Sequence, residues 1–391
     1  MNLRLLSLVF APFAFGTSAF VFVGLLDPMA NDLGVSVPIT GQLQTVFALA
    51  CGVGGPILAR VLSKFDRKRV LVAVMAMLVI MNIASALAPQ FGAIAAIRLI
   101  GGLFAALSIP YATTIAVSLV PEVKRPDAIA TVLAGYTIAF LVGIPMGTYL
   151  GEFYDWRAAF WFAAVIAFIA VIIIATLTPR DAAAPQASAQ QGSEAQSTEI
   201  SFRAALTGEN IRLITLSLLG FFATFMTIAY IGPVITQTTG LEGKAIGGVQ
   251  IATGLGSILG LPAGAYLGRM PVRRALFIIL SIVGVTQALF SVGMLFNLGW
   301  GALPLLIAAM MIGSAALFAT LPVIQTRLAT TAGAAATIAF ALNSSMAYFG
   351  QGLGATLGGV ITAWVGLAWV GVVGAAITVL ALMIVSRLKA S

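Results

Sequence analysis

Residues 158–177 read AAFWFAAVIAFIAVIIIATL, a run of twenty residues without a charged side chain. The hydrocarbon core of a bilayer is about 30 Å thick, and roughly 20 such residues cross it as a helix. The rest of the chain has the same character, since 60% of its 391 residues are hydrophobic and only 8% are charged. A soluble domain carries about 25% charged residues. The run therefore predicts a membrane-spanning helix, and the composition excludes an ordinary globular enzyme.

Twelve apolar segments of this kind follow one another along the chain. Because backbone N–H and C=O groups cannot remain unpaired in lipid, each segment is predicted to be helical. The sequence thus predicts an all-α membrane protein with twelve transmembrane helices. Segments 1 to 12, numbered in chain order, cover residues 5–27, 38–60, 70–88, 92–119, 128–151, 157–178, 210–235, 245–268, 273–296, 301–325, 332–361 and 364–386.

The residue types that usually carry metal or acid–base chemistry are scarce. The chain has no His and a single cysteine, Cys51. Disulfides, Cys-cluster zinc and His-based catalytic dyads are therefore excluded. We expect no enzyme activity, no metal and no cofactor.

The basic residues are distributed unevenly between the loops. The odd-numbered loops hold only Arg157 and Lys244, and Arg98 lies inside segment 4, so 17 of the 20 Lys and Arg residues fall at the termini and in the even-numbered loops. Cytoplasmic loops carry the excess of Lys and Arg, which predicts that both termini are cytoplasmic. The net charge of +8 is thus a topology signal, and no nucleic-acid partner is expected.

Residues 179–208 interrupt the apolar pattern with PRDAAAPQASAQQGSEAQSTEISFRAALTG. A stretch rich in Ala, Gln, Ser and Pro is typical of a flexible linker. It divides the chain into six segments in residues 1–178 and six in residues 209–391. A basic turn follows both segment 2 and segment 8, and this weak internal repeat favours two six-helix bundles.

Several short motifs carry a resemblance to a known family over essentially the whole chain. Together they resemble the drug:proton antiporters of the major facilitator superfamily, and within them the arabinose, sugar and chloramphenicol efflux branch. The motifs are GTSAF at 16–20, GLLDPMANDLGVS at 24–36, GIPMG at 143–147, DWRAAFW at 155–161 and YIGP at 230–233. The resemblance implies two rocking bundles in a bacterial inner membrane. It also implies a monomer that exports a small neutral or amphipathic solute, drug or sugar-like, in exchange for protons.

In that superfamily segments 1, 4, 7 and 10 line the central cavity. Hydroxyl, amide and aromatic side chains there could bind a partly polar solute. Each of them could instead make a hydrogen bond that only packs helices. With Asn343 from neighbouring segment 11, the substrate candidates are Arg98, Thr17, Ser18, Phe20, Tyr111, Thr114, Thr227, Tyr230, Phe318 and Asn343.

Arg98 is the one charge well inside a segment rather than at its end, where insertion costs at least about 2.5 kcal/mol. It could line the cavity, as a substrate contact or a proton sensor, or it could pair with backbone carbonyls or Asp27 and hold helices together. Members of the branch usually carry an acid in segment 1 where this chain has Ala19. The coupling candidates are therefore Asp27 and Arg98, and a transporter that protons do not drive is the remaining possibility.

Two further motifs concern conformational change. Segment 5 carries Gly143, Pro145, Gly147 and Gly151, and the spacing of four between its glycines places them on one face. That face could pack helices closely or seal the bundles against each other. The basic turn with Arg67 and Lys68 closes the cytoplasmic side in the family, or it sets topology alone.

Two other functions stay open from the sequence. A transporter of a small organic anion could use Arg98 as a clamp. A membrane sensor or scaffold that transports nothing could share the same fold.

Overall fold

The computed structural model describes residues 3–62, 64–179, 205–296 and 298–388. Most of the predicted linker therefore lies outside the described residues. The described chain folds into helices joined by short connections. The α-helices are Leu3–Ser7, Phe10–Phe20, Leu26–Leu33, Val37–Leu62, Arg67–Leu87, Phe91–Ala105, Ser108–Ser118, Arg125–Ile138, Ile144–Phe153, Arg157–Leu177, Gly208–Ile228, Ile231–Thr239, Lys244–Leu267, Val272–Leu295, Leu303–Ala332, Ala336–Trp364 and Val370–Ser386.

Eleven helical stretches of the described chain are long and apolar enough to cross a membrane. They correspond to segments 1 to 10 and segment 12. Segment 11 forms the helix Ala336–Trp364, whose 29 residues include no charged side chain. Polar residues such as Asn343 and Gln351 lower its mean hydropathy, but its length of about 44 Å matches the other segments.

Segments 1 and 7 are each broken at the same relative position. The break residues Leu25 and Tyr230 share nearly identical backbone angles, with φ −117° and ψ 20° in the first and φ −118° and ψ 25° in the second. A short helix follows each break and ends at a glycine in the left-handed region, Gly34 or Gly240. Glycine tolerates this conformation without a Cβ clash. The two halves of the chain thus share the same break in the helix. The prediction of continuous helices over residues 5–27 and 210–235 is wrong, because each is interrupted at this break.

The two ends of the helix assembly differ in charge. One end, here the acidic end, carries Asp27, Asp32, Glu152, Asp155 and Glu242; the other, the basic end, carries the turns after segments 2 and 8. In the turn after segment 2, Asp66 caps the N-terminus of the helix Arg67–Leu87 by accepting a 2.8 Å hydrogen bond from the Arg69 amide. Glu152, one residue beyond the predicted end of segment 5 at residue 151, lies in the last turn of the helix Ile144–Phe153.

Residues 3–179, the first part, meet residues 205–388, the second part, along two pairs of helices. Segment 2 packs along segment 11, and segment 5 packs along segment 8. Glycines let the helices of each pair approach closely, because a side chain at these positions would crowd the neighbouring helix. A Cβ on Gly52 would lie 3.2 Å from the Phe349 ring, and one on Gly247 would lie 2.9 Å from the Pro145 carbonyl oxygen.

These contacts do not continue to the basic end. The face of segment 2 that packs on segment 11 is buried at Thr45 and Gly52 but exposed at Pro56 and Ala59. Segment 8 behaves in the same way, because Gly254 is buried and Ile258 is exposed one turn later. The two parts are therefore closed against each other at the acidic end and apart at the basic end.

Candidate functional site

Seven aromatic side chains meet at the middle of the molecule, where segments 1, 5, 7, 10 and 11 converge. Rings from the two parts touch, with centroid distances of 5.6 Å for Phe20 and Phe225 and 5.4 Å for Phe140 and Phe318. Each such pair contributes about 0.5–1.5 kcal/mol beyond its area burial. This central aromatic cluster consists of Phe15, Phe20, Tyr136, Phe140, Phe225, Phe318 and Tyr348.

The cluster closes the molecule towards the acidic end and is accessible from the other side. Tyr136 and Tyr348 remain partly exposed, whereas Phe20 and Phe225 are buried. Tyr136 lies one turn closer to the basic end than Phe140. A solute entering between the two parts from the basic end would therefore meet a floor of aromatic rings, which suits uncharged apolar or stacking groups.

Pro145 explains how segment 5 contributes to this floor. Proline cannot donate to the carbonyl one turn earlier, and its ring crowds that carbonyl. The helix accordingly widens into a π turn at Ala139–Gly143, closed by a hydrogen bond from the Ile144 amide to the Ala139 carbonyl. Such π turns often occur at functional sites. Phe140 lies within the turn and contacts rings of both parts.

The small-residue face of segment 5 packs inside the first part. A Cβ on Gly135, Gly143, Gly147 or Gly151 would clash with segment 1, at Val9, Thr17, Val21 or Leu25 respectively. The opposite side of segment 5 faces the second part, where Thr148 donates a 2.8 Å hydrogen bond to Gln250. The structure thus places the glycine motif in helix packing, and different residues of segment 5 form the interface between the parts.

Arg98 is buried, with 4% of its surface exposed, and it caps the broken helix of segment 1. Its guanidinium donates to the carbonyl oxygens of Ala19 at 2.8 Å, Ser18 at 3.3 Å and Leu43 at 3.0 Å. Ser18 and Ala19 stand at the carboxyl end of the helix Phe10–Phe20, where carbonyls lose their helical partners and a cation is favourable. The backbone-carbonyl interpretation of Arg98 is the one that this geometry supports.

Two aromatic rings sandwich the same guanidinium. Its central carbon lies 4.3 Å from the Phe22 ring centroid and 4.7 Å from that of Phe47. A small cavity of about 10 Å³, room for one water molecule, adjoins it beside Asn82, which donates to the Ser18 hydroxyl at 2.8 Å. This polar cluster lies among segments 1 to 4, and Phe47 connects it to the central aromatic cluster, since the ring centroids of Phe47 and Phe15 are 6.2 Å apart.

The remaining substrate candidates are dispersed. Phe20 and Phe318 belong to the central aromatic cluster. Thr17 is buried against Gly143, and Thr227 donates to Gln287 within the second part. Asn343 is fully buried on the face of segment 11 that packs on segment 7. Tyr111 is half-buried and Thr114 donates to the Pro110 carbonyl, both in the half of segment 4 nearer the basic end.

Tyr230 lies at the acidic end and joins the parts. Its hydroxyl is 3.0 Å from the Ala355 carbonyl oxygen, 3.2 Å from that of Pro38 and 3.2 Å from the Gln42 amide nitrogen, which donates to it. Of the other candidates, Asp27 lies in the first turn of the short helix after the segment 1 break. Lys68 donates to the Thr178 carbonyl and ties segment 3 to segment 6, while Arg67 begins the helix Arg67–Leu87 at the basic end.

The DWRAAFW motif also has a structural partner at the acidic end. Asp32 accepts hydrogen bonds from Trp156 at 3.0 Å and Arg157 at 2.8 Å. These two donors stabilise the carboxylate and lower the pKa of Asp32 below its ordinary value. The contact fastens the short helix Leu26–Leu33 to the start of segment 6.

Phe20 and Phe318 are the two members of the central aromatic cluster among the substrate candidates named from the sequence. The other members are Phe15, Tyr136, Phe140, Phe225 and Tyr348. The chain has 24 phenylalanines, so an aromatic residue on a given segment is weak evidence. The π turn that places Phe140 follows from Pro145, and that proline was the available signal.

Two parts built from membrane helices that meet around a central site are typical of membrane transporters, and comparison with known proteins identifies the family. The family model described as "Major Facilitator Superfamily" matches residues 7–339, and the chain belongs to this superfamily. It is a multi-pass membrane protein and a transporter rather than an enzyme, and the resemblance found in the sequence is confirmed.

Relatives cover most of the chain. The uncharacterized MFS-type transporter YtbD of Bacillus subtilis (strain 168) is 30% identical over 93% of this chain and 89% of its own length. The chloramphenicol resistance protein of Streptomyces lividans is 32% identical over 78% of this chain and 74% of its own. A probable sugar efflux transporter of Mannheimia succiniciproducens is 25% identical over 95% and 90%.

Solved structures agree in fold. A D-xylose–proton symporter superposes with a TM-score of 0.75 at 17% identity, covering 98% of this chain and 97% of that one. A bacterial homologue of the human lysosomal transporter Spinster, in an inward-facing, unoccupied conformation, gives a TM-score of 0.73 at 17% identity over 98% and 95%.

Proposed function

We propose that this transporter exports a small neutral or amphipathic organic solute by alternating access. The observation that carries the proposal is the arrangement of the two parts, which meet at the acidic end and separate at the basic end above an aromatic floor. The similarity to a chloramphenicol resistance protein and to a probable sugar efflux transporter supports export.

The proposal includes the topology predicted from the sequence. Residues 1–178 and 209–391 are six-helix bundles joined by a linker at 179–208, with twelve crossings and both termini cytoplasmic. The basic end is then the cytoplasmic side, as the positive-inside rule requires. The described conformation is accordingly open to the cytoplasm, from which an exporter loads its solute.

A neutral solute fits the site better than an anion. The central aromatic cluster contains no charged side chain, and three donors of Arg98 are already bonded to carbonyl oxygens. An anion clamped by Arg98 would have to displace those bonds. The geometry therefore favours a solute recognised through rings, hydroxyls and amides.

The proposed driving force is the proton gradient, used by proton antiport, with the Asp27 carboxyl as the group that takes up and releases the proton. Asp27 lies in the first turn after the segment 1 break, close to the point where the two parts meet. The predicted second coupling candidate, Arg98, would act by holding the same break.

Solute flux in proteoliposomes tests the proposal. Chloramphenicol and a neutral sugar should be moved by the wild-type protein, faster when a pH gradient is imposed. Asp27→Asn should keep equilibrium exchange and lose the acceleration. Flux that ignores the gradient would refute proton antiport, and no flux of any neutral solute would refute export of this class.

A further inference from the structure

A second, mostly apolar cavity lies between the two parts, on the acidic side of the central aromatic cluster. In this closed arrangement it measures about 20 Å³. Segments 1 and 5 supply one wall, and segments 7 and 8 supply the other. Its lining residues include Phe20, Phe140, Ile144, Ile228, Ile231 and Gln250.

Gln250 is the polar feature of this cavity. Its side chain is 97% buried, since only 3% of its surface is exposed. Its oxygen accepts the hydrogen bond from Thr148, while its amide nitrogen has no hydrogen-bond partner among the residues that the structure describes. A buried donor without an acceptor costs about 1–3 kcal/mol, so the nitrogen is poised to receive an acceptor atom.

The break in segment 1 lies against the same amide. A Cβ on Gly24 would stand 2.8 Å from the Gln250 nitrogen, and one on Gly232 would stand 3.0 Å from the Gly24 carbonyl oxygen. The breaks of segments 1 and 7 therefore meet beside Gln250. Separation of the parts at the acidic end would widen the cavity here and release the Gln250 oxygen from Thr148.

We propose that this cavity is a solute subsite that takes an uncharged, apolar molecule bearing a hydrogen-bond acceptor, with Gln250 as the donor. The inference rests on the proposed export function and names its solute class. A carbonyl or hydroxyl oxygen on the solute satisfies the Gln250 amide, and the phenylalanine and isoleucine walls hold the apolar body. Among the residues that the structure describes, none with a charged side chain lines the cavity, so an ionised group is disfavoured there.

A matched pair of probes tests this assignment. 2-Acetylnaphthalene and 2-isopropylnaphthalene have similar shapes, but only the ketone carries an acceptor. Binding to the purified full-length protein in detergent is measured by quenching of tryptophan fluorescence. One neutral hydrogen bond contributes about 0.5–1.5 kcal/mol, so the wild type should prefer the ketone by about 2- to 12-fold. Gln250→Leu should abolish the preference, and so should Gln250→Met, which keeps the length of the side chain but has no N–H or O–H donor.

Thr148→Val is the matched control, since it removes the hydrogen bond between the parts and leaves the Gln250 donor. If Gln250 only fastens the two parts, Thr148→Val and Gln250→Leu will change binding equally, and the subsite is refuted. It is also refuted if the wild type binds both probes equally or binds neither. The flux assay is independent of these results, so failure of the subsite and failure of export can be told apart.

Discussion

Removing the Tyr230 hydroxyl should open the acidic end. In the closed arrangement that hydroxyl accepts from Gln42 and can donate its single hydrogen to the carbonyl of Pro38 or of Ala355. The bond to Ala355 stays within the second part, whereas those to Gln42 and Pro38 join the two parts. Tyr230→Phe keeps the ring in its tight contact with Gly41 and deletes only these bonds.

The magnitude follows from how many bonds are lost between the parts. Gln42 retains acceptors at 3.3 Å and 3.4 Å in the carbonyls of Pro38 and Ala355, so it is not left unpaired. The net loss is therefore close to one hydrogen bond, or about 1 kcal/mol. A free-energy change of that size shifts a two-state equilibrium about fivefold towards the state that is open at the acidic end.

Pulsed electron–electron distance measurements can detect this shift. Spin labels are placed on Asn31→Cys and Trp364→Cys, two exposed positions at the acidic end of the first and second parts, in a Cys51→Ser background; Trp364 is 86% exposed. The ratio of the longer-distance to the shorter-distance population should rise about fivefold in Tyr230→Phe. Tyr266→Phe, at a tyrosine 61% exposed near the basic end, is the control. An unchanged distribution in Tyr230→Phe, or a change as large in the control, would refute the reasoning.

Three further predictions concern stability, and thermal unfolding followed by fluorescence measures each. Gly135→Ala should lower the unfolding temperature because the new Cβ meets the Val9 carbonyl oxygen, and overpacking of this kind typically costs about 1–3 kcal/mol. Gly92→Ala is the control, since a Cβ at Gly92 meets open space. Equal effects of the two substitutions would contradict the packing of segment 5 on segment 1. Arg98→Lys should destabilise less than Arg98→Met, since Lys keeps a charge for the free carbonyls but lacks the guanidinium fork; the reverse order would be inconsistent with capping. Asp32 has a lowered pKa in the folded protein. Its contribution to the free energy of unfolding is therefore fully present above the unfolded pKa of about 4 and is lost as the pH falls through the folded pKa. Asp32→Asn should lower the unfolding temperature at neutral pH, and the unfolding temperature of this variant should fall less on acidification than that of the wild type.

Hydropathy and spacing were enough to predict the helices but not their partners. The apolar run of segment 1 continues through Val21–Leu25, so nothing in its hydropathy distinguishes the break from the helix on either side. The spacing of Gly143 and Gly147 placed them on one face, but which helix lies against that face is decided by packing. Both alternatives for Arg98 were visible in the sequence, and only the positions of the Ser18 and Ala19 carbonyls choose between them.

The break in segment 1 is held more strongly by the first part than by the second. Within the first part, the Arg98 guanidinium bonds to the Ser18 and Ala19 carbonyls, and bonds to charged groups contribute about 1.5–3 kcal/mol each. The second part touches the break through the Gly24 and Gly232 backbones and near the neutral bond between Thr148 and Gln250, which contributes about 1 kcal/mol. When the parts separate at the acidic end, the contacts between the break and the second part therefore break before the hydrogen bonds of Arg98. The break keeps its conformation within the first part and continues to line one side of the cavity. The surface that moves away from it belongs to the second part and carries Gln250.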